Sequence, residues 1–333
     1  MEWTRGHIIG HGATAAVSAA TSRKSGEIIA VKSAELQRSK ALQREAEILS
    51  GLDCPYIIGF RGCDVTREGD TAVFNLKMEY APGGTVADAA RRLGGVDGPT
   101  ARRYTCQIVK GLKYLHSKGI VHCDLKGSNI LICDGGVKIA DLGCAKAAGA
   151  AAIGGTPMYM APEVARGEDQ GFPSDVWSLG CTLIQMSTGK SPWPDAAAAT
   201  VRRIAFSGEV PEFPEAVSEL CKDFLSKCLR VVPAERWTAT ELLRHPFLEE
   251  SESPTSVLDR SVWAGGESCE DSVHMDGEYS SESAMQRMKE LGKISGDEKW
   301  EWGHSWITVR EVNFVNSEKW TQELLTLDNF QFL

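Results

Sequence analysis

The 333 residues include no apolar stretch of about 18, so no membrane-spanning helix is expected. The ten cysteines are scattered. None forms a Cys-x-x-Cys pair or stands at zinc-ligand spacing from another Cys or His, which excludes a structural zinc site and leaves reduced thiols. The start, Met1-Glu2-Trp3-Thr4-Arg5, lacks the basic-then-apolar segment of a secretory leader, so a cytoplasmic or nuclear chain is expected. Positive charge is also short. The chain has 36 Lys and Arg against 45 Asp and Glu, a net −9, which argues against a general nucleic-acid binder. No internal repeat occurs.

Apolar residues make up 42% and charged residues 24%, the balance of a soluble protein with room for a real core. The charge is unevenly placed. Residues 249–333 carry 18 acidic and 7 basic side chains, a net −11, leaving 27 acidic and 29 basic residues in 1–248. From Glu249 the sequence becomes Glu-Glu-Ser-Glu-Ser-Pro-Thr-Ser, a shift that marks a domain edge and an expected disordered linker.

Patterning divides the first 248 residues into two halves. Alternating apolar residues predict short strands ending near Ile8-Ile9, over Ala16–Ala19 and over Ile28–Val31, separated by a Gly-rich turn and by Lys24-Ser25-Gly26-Glu27. Leu42, Ala46 and Leu49 recur at helical spacing within 36–52, and two more strands are expected near 57–65 and 71–79. Pro82-Gly83-Gly84 then breaks the chain. Helical patterns follow over 100–118, 174–188, 196–206, 216–229 and 239–244, with short apolar runs and loops over 120–140. A β-rich part therefore precedes a helix-rich part: an α+β, bilobal architecture.

Several short segments carry chemistry. Ile9-Gly10-His11-Gly12-Ala13-Thr14-Ala15-Ala16-Val17 lies between two strands, and its glycines let the backbone approach phosphate oxygens. Alone it reads equally as a hairpin turn, because Ala15 stands where a third glycine would. Lys32 ends Ala30-Val31-Lys32 on the third strand and can hold nucleotide phosphates if an acid fixes it. The following helix offers Glu45 and Glu47, and register favours Glu45, leaving Glu47 a surface residue. In His122-Cys123-Asp124-Leu125-Lys126-Gly127-Ser128-Asn129, Asp124 can accept a hydroxyl proton, Lys126 can neutralise a moving phosphoryl group, and Asn129 can hold Mg²⁺. Asp141-Leu142-Gly143 follows twelve residues after Asn129 and supplies a second Mg²⁺ ligand in Asp141. Gly155-Thr156-Pro157-Met158-Tyr159-Met160-Ala161-Pro162-Glu163 and Ser174-Asp175-Val176-Trp177-Ser178-Leu179-Gly180 complete the series. Their order and spacing, more than any single piece, make coincidence implausible.

On these motifs, residues 1–248 resemble a complete eukaryotic protein kinase domain, and Asp-Leu-Lys-Gly-Ser-Asn resembles its Ser/Thr class. Glu2-Trp3-Thr4-Arg5-Gly6, the Gly-Ala-Thr-Ala loop and a Trp-rich tail resemble the small plant MAP kinase kinase kinases of the MEKK-like group. The resemblance implies an N-lobe over about 1–79, a hinge over about 79–84, a C-lobe over about 85–248, and an acidic, partly disordered tail over 249–333. It implies ATP and Mg²⁺ as cofactors. Met78 would be the gatekeeper, Glu79 and Ala81 the hinge groups for adenine, and Ala30 and Leu131 its sandwich. Glu163 would pair with Arg236, and Thr156 would bond Asp124. Protein substrates would be MAP kinase kinases, in stress-hormone signalling such as that of abscisic acid.

Two departures fit each other. The resemblance implies Arg before Asp124, to receive an activation-loop phosphate, but Cys123 stands there. Between Asp141 and Glu163 there is no Ser, and Thr156 is the only Thr. The expectation is an enzyme that does not depend on phosphorylation of this loop. Leu142, in place of the usual Phe, is a mild apolar swap. A scaffold without catalysis would lack Lys32, Asp124 or Asn129, and all are present; a small-molecule kinase would not need the Gly155–Glu163 stretch. In the tail, Trp300, Trp302, Trp306 and Trp320 with Leu324, Leu325 and Leu327 suggest either a partner-binding regulator site or packing on the chain's own C-lobe, and Ser253-Pro254 suggests a proline-directed phosphosite.

Overall fold

The computed structural model describes residues 3–12, 15–151, 154–194 and 196–249, with the backbone of 307–308 and 311–312. The Trp-rich tail positions and Ser253 lie outside the described residues.

The N-terminal half opens with strands β1 (Trp3–His11), β2 (Ala16–Ser22) and β3 (Ile28–Glu35), followed by helix α1 (Lys40–Ser50) and strands β4 (Phe60–Glu68) and β5 (Thr71–Glu79). All pair antiparallel in the order β1-β2-β3-β5-β4. The helix expected from 36 starts late. Residues Leu36–Arg38 form a 3₁₀ turn, because the buried Ser39 hydroxyl bonds back to the Leu36 carbonyl at 2.8 Å and breaks the α-ladder. The strand expected from 57 likewise begins at Phe60, since Ile57 makes only a single bridge to Ile139. Leu42, Ala46 and Leu49 point one face of α1 at Phe74, Leu76 and Met78 of β5.

The sheet is curled so far that its edge strands meet through side chains. The Trp3 indole donates to Asp64 Oδ2 at 3.0 Å, and Arg5 reaches Glu68 at 2.7 Å and Asn75 Oδ1 at 3.0 Å. Lys77 pairs with the same Asp64 oxygen at 2.8 Å, both groups almost wholly buried. Two further short strands lie at the sheet edges: β10 (Ile307–Thr308) runs antiparallel to β1, and β11 (Glu311–Val312) antiparallel to β4.

Beyond the break at Pro82 the chain is mainly helical. Helix α2 (Val86–Leu93) was not among the helices expected from the sequence. Its start is nevertheless encoded: the Thr85 hydroxyl accepts from the Asp88 N–H at 3.1 Å, and Gly94, at φ 70°, ends it. Helix α3 (Gly98–Ser117) follows, then strands β6 (Ile120–Val121), β7 (Ile130–Cys133), β8 (Gly136–Ile139) and β9 (Lys146–Ala147). The remaining helices are α4 (Pro162–Ala165), α5 (Phe172–Thr188), α6 (Ala197–Phe206), α7 (Glu219–Cys228) and α8 (Ala239–Leu242).

Helix α5 is apolar almost all round and runs through the core, burying Trp177, Leu179, Leu183 and Met186. Gly111 in α3 is required by packing, because a Cβ there would lie 2.8 Å from Ile139 Cδ1. Arg236 forks onto Glu163 at 2.6 and 2.7 Å and also donates to the carbonyls of Arg230 and Pro173. Removing one partner of such a buried pair typically costs about 3–5 kcal/mol, since the other charge is stranded. No helix among the described residues is long and apolar enough to cross a membrane.

Candidate active site

Strand β3 carries Lys32 inward, and α1 packs against the sheet so that Glu45 meets it: Lys32 Nζ lies 2.7 Å from Glu45 Oε2 and 2.9 Å from Asp141 Oδ1. Glu45 is buried, whereas Glu47 faces solvent, as the register required. Burial pulls the Lys32 ammonium toward neutrality, but Glu45 and Asp141 outweigh it and hold its pKa above the ordinary lysine value. For Glu45, burial prevails over Lys32 and its carboxyl pKa is raised. For Asp141, burial is outweighed by Lys32, and its pKa falls below the usual carboxylate value.

Asp141 sits in the left-handed region at φ 59°, and its side chain accepts from the Gly143 N–H at 3.4 Å. The next residue, Leu142, is buried in the same cluster as Ala46, Leu49 and Leu115, so the leucine fills a core position beside α1.

The loop after β6 is fixed from two sides. His122 is fully buried with its Nε2 3.1 Å from the Ala140 carbonyl, and its Nδ1 accepts the Asp124 N–H at 3.2 Å. That pairing assigns the proton to Nε2. Asp175, at the start of α5, accepts the N–H groups of His122 at 2.9 Å and Cys123 at 3.0 Å and also contacts His116 at 2.9 Å. Cys123 is thereby held at φ 69° with its side chain buried, and burial, helped by Asp175, pushes its thiol up to about 12.

At the centre of this loop, Asp124 is surrounded by donors. Its Oδ1 accepts the Thr156 hydroxyl at 2.7 Å, and its Oδ2 accepts Lys126 Nζ at 2.8 Å and Asn129 Nδ2 at 3.2 Å. Lys126 also donates to Thr156 Oγ1 at 2.6 Å. Asn129 spends its second amide bond on the Asp124 carbonyl at 2.8 Å, so both its described bonds use nitrogen and its oxygen is left over.

The residues expected to face a nucleotide lie mostly on strands β1, β2, β3, β5 and β7. Gly10 pairs with Val17 and His11 with Ala16 across β1 and β2, and the Gly12 N–H closes the hairpin on the Ala15 carbonyl at 2.7 Å. Ile9 lies in β1 and is exposed; Ala13 and Thr14 lie outside the described residues. Ala30 and Met78 stand in register on β3 and β5, and Leu131 lies on β7. The Glu79 N–H bonds the Gly59 carbonyl at 2.8 Å, while the Ala81 N–H has no partner among the described residues. Such a free donor on an extended segment suits a flat heterocycle.

Oxygen donors suit a hard cation, and the free amide oxygen of Asn129 with the half-exposed carboxylate of Asp141 supplies them, so these residues fit Mg²⁺. Three groups had no assigned role in the sequence: Asp175, Gln170 and Lys138. Asp175 stood in a quoted motif, but its bonds to residues 53 and 52 positions earlier leave no local signal.

Residues 3–248 match the family described as "Protein kinase domain". The chain is 47% identical to mitogen-activated protein kinase kinase kinase 18 of Arabidopsis thaliana, over 93% of this chain and 99% of that protein. It is 48% identical to mitogen-activated protein kinase kinase kinase 17 of the same plant, over 93% of each. Mouse mitogen-activated protein kinase kinase kinase 3 is 37% identical over 75% of this chain and 42% of the mouse protein.

Proposed function

This chain belongs to the protein kinase family, as a Ser/Thr kinase of the MAP kinase kinase kinase type, and from that premise we propose that its protein substrates are MAP kinase kinases, phosphorylated on activation-loop Ser or Thr. The family uses ATP and Mg²⁺, and bound Mg²⁺ supplies charge neutralisation at the phosphates. The substrate class is carried by the similarity to mitogen-activated protein kinase kinase kinases over 93% of the chain, and transfer to a hydroxyl by the Lys126–Thr156–Asp124 network, in which a hydroxyl already rests on the Asp124 carboxylate.

Asp124 orients the substrate hydroxyl and takes its proton. Lys126 faces the same carboxylate and lies where charge moves during transfer. Lys32, fixed by Glu45, would hold phosphate oxygens, and Asn129 and Asp141 would hold the metal. The glycine-rich segment from Ile9 to Val17, whose sequence includes Ala13 and Thr14, would cover the phosphates. Ala30, Met78 and Leu131 bracket the adenine, with the backbones of Glu79 and Ala81 bonding its edge.

For the acidic 249–333 segment we propose regulation, including partner binding. A stress or abscisic acid pathway is part of the same proposal, carried over from the resemblance to the small plant MEKK-like group. The ten cysteines, without any Cys-x-x-Cys pair, favour a reducing cytoplasmic or nuclear location.

The test is a paired assay. Bacterially expressed wild type and Asp124→Asn receive ATP, Mg²⁺ and a panel of kinase-dead MAP kinase kinases. Wild type is expected to label at least one on Ser or Thr, and Asp124→Asn to label it about 10²–10⁴-fold more slowly. Equal labelling by both proteins would remove Asp124 from the mechanism; no labelling by wild type would reject the substrate class.

A further inference from the structure

Thr156 can hold Asp124 only if the segment bearing it lies against the loop bearing Asp124. The contact that keeps them together lies one or two residues upstream of each. Gly154 and Gly155 precede Thr156, and Cys123 precedes Asp124. Gly155 has φ 124°, and a Cβ on it would lie 2.6 Å from the Cys123 carbonyl oxygen, so the two backbones approach as closely as glycine allows. No side chain of either segment bridges this approach. The bridge comes from Gln170, in the connection between α4 and α5.

Gln170 is 5% exposed, and its amide is fully used. Its Oε1 accepts the Gly154 N–H at 3.1 Å, and its Nε2 donates to the Gly154 carbonyl at 3.0 Å and to the Cys123 carbonyl at 3.1 Å. The side chain thus pairs with Gly154 as a neighbouring strand would, then spends its remaining proton on the catalytic loop. Cys123 is held from the opposite side by Asp175 through its N–H. Cys123, the residue entering Asp124, is therefore clamped on both of its backbone groups, its N–H by the carboxylate of Asp175 and its carbonyl by the amide of Gln170.

We propose that Gln170 is a positioning residue for phosphoryl transfer: its neutral amide locks the activation segment onto the catalytic loop and substitutes for a phosphate-dependent clamp. This rests on the roles proposed above for Asp124 and Thr156. Two details favour it. Cys123 presents an uncharged, buried side chain where a phosphate would need a cation. The segment from Asp141 to Glu163 offers no Ser, and its one Thr is already bonded to Asp124. Only a primary amide fits: a carboxylate at 170 could accept from Gly154 but would face two carbonyl oxygens without a proton, and an aliphatic side chain would leave all three backbone groups unmatched.

The experiment uses the full chain, phosphatase-treated, as wild type, Gln170→Leu, Gln170→Glu and the inactive control Asp124→Asn, with myelin basic protein as phosphoacceptor. Wild type is expected to keep its kcat after phosphatase treatment. Both Gln170 variants should lose at least tenfold in kcat while KM for ATP stays within twofold. Hydrogen–deuterium exchange on wild type should show a protected Gly154 amide, which becomes fast in Gln170→Leu. A Gln170→Leu enzyme with wild-type kcat overturns the inference, as does a wild-type Gly154 amide exchanging like an open loop, however the variants fold. A wild type no more active than Asp124→Asn would instead defeat the underlying assignment of Asp124.

Discussion

Lys32 is the residue on which the site's electrostatics turn. Its pKa is raised, so its contribution is fully present below the ordinary lysine value and is lost only as pH climbs past it. Asp141 is shifted down, so its contribution is present above the ordinary aspartate value and is lost as pH falls. Glu45, whose pKa burial raises, is the member that gains a proton first on acidification. Affinity for Mg-ATP, followed with a fluorescent nucleotide analogue, should therefore not fall as pH rises from about 7 to 9, because the raised Lys32 keeps its proton and the lowered Asp141 its charge there. A fall across that interval would mean that Lys32 titrates within it and is not held by two carboxylates. Sequence reasoning preferred Glu45 to Glu47 from its distance to Leu52 and Pro55, and Glu45 is the one of the two that meets Lys32. It gave Cys123 no physical setting, because the burial and the Asp175 contact that raise its thiol come from a helix some fifty residues later.

Among the elements, β1 is the most unusual. Its only outer neighbour among the described residues is the two-residue β10, and a strand so placed is ordinarily weakly held. Here Trp3 is buried to 1% and its indole N–H reaches Asp64 on β4, at the far end of the run β1-β2-β3-β5-β4. Trp3→Phe would keep most of the apolar burial and delete one hydrogen bond to a charged acceptor. The expected loss is about 1–3 kcal/mol in denaturant unfolding, with Lys77 still neutralising Asp64. A loss below about 0.5 kcal/mol would show that the indole bond contributes nothing beyond packing. The strand itself was legible from apolar alternation. Its role was not, since alternation cannot say that a sheet curls until its edges touch. Helix α2 escaped notice for a different reason: eight residues after a Pro-Gly-Gly break carry too little periodicity to stand out, although Thr85 and Gly94 mark both ends.

At the scale of the whole molecule, the two halves meet behind the hinge. Ile58 N–H bonds the Ile139 carbonyl at 2.9 Å, and Ile139 N–H bonds Tyr56 at 2.9 Å. Lys138, on β8, reaches both carboxylate oxygens of Glu79 at 2.6 and 2.7 Å, while Glu79 also accepts the Gly59 N–H at 3.1 Å. The pair is only partly buried, so its worth is about 0.2–1 kcal/mol. Lys138→Met should accordingly speed nucleotide release by no more than about fivefold in a stopped-flow displacement experiment, with little change in unfolding free energy. A change of a hundredfold would assign this pair a far larger part in holding the halves together.

Chemistry and order were decided by the sequence alone. Lys32, Asp124, Asn129 and Asp141 were legible as candidates because they stand at a strand end and in short motifs, where local signals are strongest. The division into a β-rich and a helical half follows from hydrophobic periodicity, which is equally local. Tertiary structure decided which groups share a carboxylate. The meeting of Lys32 with Glu45 and Asp141, of Thr156 with Asp124, and of Gln170 with both Gly154 and Cys123 spans separations of 13 to 109 residues. A glutamine between two helices has no period, no spacing and no partner nearby in the chain. Its three bonds exist only because a helix start, a loop and a glycine pair are packed within hydrogen-bond reach, and that proximity is a property of the folded core.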